Sequence, residues 1–77
     1  MSDVRIVFYT KPGCGLCEDA RAVLDALGHP YETAEEPAFA QRVPVVEVNG
    51  EIVAELRVSA RVIKRALARA RKASRKA

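Results

Sequence analysis

The apolar positions of this chain change period twice, and the changes mark out its elements. Val4 to Tyr9 is an apolar run rich in β-branched and aromatic residues, the pattern of one buried strand. Thr10-Lys11-Pro12-Gly13 is turn chemistry. From about Gly15 the period becomes helical: Ala20, Val23, Leu24 and Leu27 recur at i, i+3, i+4 and i+7, one face of an amphipathic helix. Glu18 and Asp19 fall in its first turns, where carboxylates suit the positive end of the helix dipole. Gly28 is a natural stop, with Pro30 two residues beyond it.

Pro30 to Thr33 is expected to form a short second strand, completing a βαβ unit. Ala34 to Arg42 mixes small, charged and aromatic residues around Pro37 and holds at most a short helix. Val45 to Val48, Asn49-Gly50 and Glu51 to Leu56 form a hairpin signal, because Asn-Gly suits a type I′ turn. Ser59 is an N-cap for a last helix with apolar positions Val62, Ile63, Ala66, Leu67 and Ala70. The other faces of that helix are basic, and its end from about Lys72 is expected to fray as a basic tail. The order strand, helix, strand, weak helix, hairpin, helix is an α/β arrangement in a single domain of 77 residues.

Charge sharpens this picture. Nine of the 13 Lys and Arg lie in the last 21 residues, and all ten carboxylates lie at or before Glu55. The first 56 residues hold four cations against ten carboxylates, a formal −6, and the remainder carries +9. The net +3 therefore conceals a segregation that bears on partners. The N-terminus lacks a basic leader, and no apolar run is long enough to span a membrane. The expected setting is the reducing cytosol, with no membrane partner.

Only two cysteines occur, Cys14 and Cys17, three positions apart. A disulfide between them closes too short a loop to be a useful staple. A closed zinc site needs four ligands, and only His29 joins the cysteines besides carboxylates. No metal is assigned, and His29, after the helix stop, is read as a solvated loop residue. The pair does fall at the start of the first helix, where unpaired N–H groups favour a thiolate. Cys14 is expected to be the exposed nucleophile of lowered pKa, with Lys11 and the Cys17 thiol assisting it. Cys17 is expected to face inward and resolve the mixed disulfide. Downstream, Pro44 in Val43-Pro44-Val45 cannot donate to a sheet ladder, so it is an edge feature or follows a cis bond.

Tyr9-Thr10-Lys11-Pro12-Gly13-Cys14-Gly15-Leu16-Cys17, with Val43-Pro44 before a hairpin, resembles a glutaredoxin-like protein of the thioredoxin superfamily over nearly the whole chain. The resemblance implies a compact thioredoxin/glutaredoxin-like fold, order βαβ(α)ββα, with a four-stranded mixed sheet and a shortened second helix. It also implies a cis Pro44 against the dithiol and a Val43 backbone that holds substrate or glutathione. Lys11 would then assist the Cys14 thiolate or meet a glutathione carboxylate. The implied activity is reduction of protein or small-molecule disulfides by a monomer, without a required cofactor. Glutathione or thioredoxin reductase would supply the electrons.

The chain departs from that pattern in two places. Gly15-Leu16 stands where glutaredoxins carry Pro-Tyr, and Ala54 to Ser59 lacks the Gly-Gly-x-x-Asp turn that holds the glutathione carboxylate. The missing turn argues against a glutathione site, unless Arg57 or the helix start at Ser59 substitutes in part. The Trp-Ser-Gly-Phe stretch of ribonucleotide-reductase-linked redoxins is missing as well. Two alternatives come from other classes. Gly15 leaves room for an iron–sulfur cluster shared between two protomers, and the basic helix offers a surface to an acidic partner or nucleic acid. The basic segment has no aromatic residue for base stacking, which weighs against nucleic acid.

Overall fold

A computed structural model describes residues 4–76, with side chains through Ala73. The elements follow in the order β1 (Ile6–Tyr9), α1 (Gly15–Leu27), β2 (Glu32–Ala34), a 3₁₀ turn (Pro37–Phe39), β3 (Val45–Val48), β4 (Glu51–Glu55) and α2 (Ala60–Lys76). The four strands form one mixed sheet in the order β2-β1-β3-β4. β1 runs parallel to β2 and antiparallel to β3, and β3 pairs antiparallel with β4. This is the thioredoxin/glutaredoxin-like α/β architecture, with the second helix reduced to a single turn.

Alternation along β1 decides which face is the core. Ile6 and Phe8 are buried, and they lie opposite Val48 and Val46 of β3. Leu24 and Ala20 of α1 join the same cluster, as do Ile63, Ala66 and Leu67 of α2. Helix α1 ends as its sequence dictates, with Gly28 in the left-handed region at φ 73°. Asn49 and Gly50 both take positive φ, 52° and 84°, as a type I′ turn requires. The hairpin slips register between Val46 and Glu47, a bulge on the β4 side.

Two expectations shift. The second strand begins at Glu32 instead of Pro30. Pro30 has no N–H for a ladder, and Tyr31 directs its hydroxyl to Asp25 (2.6 Å) while its ring meets the edge of Phe8. Val62, placed on the apolar face of the last helix by its period, is exposed. The buried face is Ile63, Ala66 and Leu67, and Val62 lies about 100° around the helix from Ile63. Helix α2 is assigned from Ala60 to Lys76, and Ala77 of the stretch expected to fray lies outside the described residues. The side chains of residues 74–77 lie outside the described residues.

Candidate functional site

The β1–α1 junction positions the two cysteines. Gly13 takes φ 73° and turns the chain, and Cys14 becomes the N-cap of α1 with extended backbone angles. Its sulfur does the work that a serine or aspartate oxygen does in other caps: the Cys17 amide donates to Cys14 Sγ at 3.1 Å. The Glu18 amide closes the first turn on the Cys14 carbonyl at 3.3 Å. Cys14 is partly exposed, and Cys17, one turn further in, is 1% exposed within the core cluster. Both thiols are free.

The electrostatics of Cys14 reverse the expected lowered pKa. The Cys14 thiol is pushed above the ordinary cysteine value, first by the side chain of Cys17 and then by its own burial. The Cys17 amide and the Lys11 ammonium pull the other way and do not prevail. The helix start and Lys11 thus act in the expected direction, but a neighbouring sulfur and a desolvated site outweigh them.

Tyr9, at the end of β1 that leads into the Lys11 turn, lies opposite Val45. The Val43-Pro44 segment therefore enters the sheet at the same end as the cysteines, and its peptide bond is cis. Val43 and Cys17 share the core cluster, against which Cys14 packs. The Leu56 amide donates to the Pro44 carbonyl at 2.8 Å and to the Arg42 carbonyl at 3.3 Å, clamping the segment on both sides of Val43. Arg42 pairs with Glu55 through two nitrogens, which holds the Glu55 carboxyl below its ordinary range. Among the described residues, Val43 itself makes no backbone hydrogen bond.

Of the other residues singled out in the sequence, Ser59 takes its expected place and His29 does not. Ser59 Oγ accepts the Val62 amide at 3.2 Å, so that hydroxyl is occupied in capping α2. Gly15 has open space where a Cβ would stand, so packing does not demand glycine there. His29 is half-buried instead of solvated: Nδ1 lies 2.7 Å from the Pro30 carbonyl oxygen, and Nε2 is buried without a partner among the described residues. Sequence reasoning also missed a groove that reaches Leu16, the residue before Cys17, and is lined further by Ala20, Leu56, Val58 and Val62 with the polar Asp19, Arg57 and Ser59.

Comparison with known proteins agrees with this geometry. Residues 5–35 match the family described as Glutaredoxin-like domain (DUF836). No curated protein sequence matches the chain. The crystal structure of a buckwheat glutaredoxin–glutathione complex superposes with a TM-score of 0.61 at 19% identity, covering 92% of this chain and 79% of that one. The matched segment runs from β1 through α1 to the end of β2 and contains both cysteines.

Proposed function

On this glutaredoxin-like fold, we propose that the chain is a thiol–disulfide oxidoreductase that reduces disulfides through Cys14 and Cys17. The observation that carries the reading is the N-cap geometry. An accessible Cys14 sulfur accepts an amide hydrogen bond at 3.1 Å, with a free, buried Cys17 thiol one turn below it. In the first step the Cys14 thiolate attacks a substrate disulfide, and one substrate sulfur leaves as a thiolate that takes up a proton. In the second, the Cys17 thiol gives up its proton and attacks Cys14 Sγ, expelling the other substrate thiol. Two electrons pass to the substrate, and a Cys14–Cys17 disulfide remains. Glutathione or a thioredoxin-reductase-type flavoenzyme then restores the dithiol, and no resident cofactor is needed.

Lys11 supports the attacking charge, and the free backbone of Val43 offers an edge against which an extended substrate pairs. The buckwheat relative's glutathione complex supports glutathione as the reducing thiol to test first. The cytosol, where reductants are present, is the compartment this chemistry suits.

The test is turnover of hydroxyethyl disulfide, driven in parallel by glutathione with its reductase and by thioredoxin reductase. Turnover with either donor is expected, along with its loss in Cys14→Ser. Cys17→Ser is expected to accumulate a mixed disulfide visible by intact mass. An active Cys14→Ser variant would disprove the assignment.

A further inference from the structure

Among the described residues, four large hydrophobic side chains are exposed: Leu16, Ile52, Leu56 and Val62. They are not scattered. Leu16, Leu56 and Val62 line one groove, and Val62 also lines a second groove, with Ile52, between α2 and β4. The two grooves meet at Val62 and make one apolar surface that begins at Leu16, between the cysteines. Solvent-facing apolar residues gathered this way mark an interaction surface.

Cations border it throughout. Arg57 edges the first groove, and Arg61, Arg65 and Arg69 line the second at i, i+4 and i+8 along α2. Two carboxylates also face these grooves. Asp19 lies in the first, and Glu51 in the second is engaged by Arg69 at 3.8 Å. Arg57, Arg61 and Arg65 make no ion pair among the described residues. The charge complement is an acidic partner. The stripe from Arg61 to Arg69 spans about 12 Å, or roughly four residues of extended chain, so it outreaches a tripeptide. No aromatic side chain lines either groove, so bases have nothing to stack on.

We propose that this arginine-bordered apolar surface, running from Leu16 across Val62 to Ile52, docks an acidic, apolar segment of a disulfide-bearing substrate protein. The inference rests on the oxidoreductase reading for its substrate class. A segment seated there passes Leu16, which lies between Cys14 and Cys17 in the chain, and so carries its disulfide toward the dithiol. The surface thus selects a protein disulfide by the residues that flank it.

The experiment uses two fluorescent peptide disulfides on the full chain, one with Leu and Glu flanking cysteine and one with Leu and Lys. Anisotropy on the Cys14→Ser variant reads docking without turnover, and kcat/KM on the unaltered protein reads its consequence. Hydroxyethyl disulfide turnover reports on the dithiol alone, so its failure sinks the oxidoreductase reading while the anisotropy still decides whether the surface docks the peptide. The acidic peptide is expected to bind and react about tenfold better at low ionic strength, converging on the basic one as salt is added. The double substitution Arg61→Glu/Arg65→Glu should reverse that preference, an outcome mere misfolding does not produce. Val62→Ser should raise KM for the acidic peptide. Equal binding of the two peptides, or a preference untouched by charge reversal, overturns the proposal. So does duplex DNA binding more tightly than the acidic peptide, or a dimer that charge reversal dissociates, which gives the surface to a second copy.

Discussion

At Cys14, opposing influences meet on a single sulfur. The amide of Cys17 and the charge of Lys11 stabilise its thiolate, while the Cys17 side chain and burial oppose it, and the opposition is stronger. The spacing of the cysteines and their place at a helix start were legible in the sequence, because both follow from local pattern. The sign of the pKa change was not, since it depends on how far the second sulfur is buried and how closely it approaches. A raised Cys14 pKa has a kinetic consequence: well below that pKa, the rate of disulfide exchange climbs about tenfold per pH unit. Cys17→Ala removes the largest opposing influence, and Cys14 should then ionise at lower pH. Thiolate absorbance across a pH titration checks this. An unchanged or higher pKa in that variant contradicts the assignment of Cys17 as the principal cause.

Among the elements, the β3–β4 hairpin is where local sequence and tertiary structure reinforce one another most directly. Asn-Gly specified the turn type in advance, and both residues take the positive φ that it needs. Invisible in the sequence was a second task for Asn49. Its Oδ1 accepts the Arg5 amide and its own amide donates to the Arg5 carbonyl, both at 2.8 Å. The hairpin tip is thereby tied to the chain just ahead of β1, extending the β1–β3 ladder by one residue pair. Asn49→Ala loses the side-chain bond and places an alanine in the left-handed region, and should destabilise the fold by about 1–3 kcal/mol. Asn49→Gly, which loses only the bond, should cost less. Urea titration of both variants with unchanged m-values tests this, and equal losses would show that the conformational contribution is absent. The limits of β2 and the exposure of Val62 were illegible for a related reason. Period gives an apolar stripe its width, but only the packed partner decides which edge residue turns outward.

Across the whole molecule, the shortened second helix poses the problem of covering the far face of the sheet. Helices α1 and α2 share one side, where Ile6, Phe8, Val46 and Val48 form the core. Alternation sends Tyr9 to the other side, opposite Val45, and sends Val7 there opposite Glu47. Val45 is fully buried, and the half-buried rings of Tyr9 and Phe39 pack against the core cluster. The segment around the Pro37–Phe39 turn covers this side of the sheet. The Phe39 ring meets Tyr9 edge-on at 4.9 Å, the Arg42 guanidinium lies 5.1 Å from the Phe39 ring centroid, and the Tyr9 hydroxyl donates to Glu47 at 3.1 Å. The sequence showed that residues 34–42 hold no full helix; that one aromatic would stand in for it depends on a contact thirty positions away. Burial, followed by the bond to Glu47, raises the Tyr9 phenol above its ordinary value. Phe39→Ala opens that face, and the loss of a partly exposed ring should destabilise the protein by about 1–3 kcal/mol. With its largest cause relieved, the Tyr9 phenol should also titrate at lower pH, since a less desolvated phenolate forms more readily. Chemical denaturation and phenolate absorbance read the two effects separately. A stability loss with no movement of the tyrosine titration would mean that Phe39 supports the turn alone and does not cover the sheet.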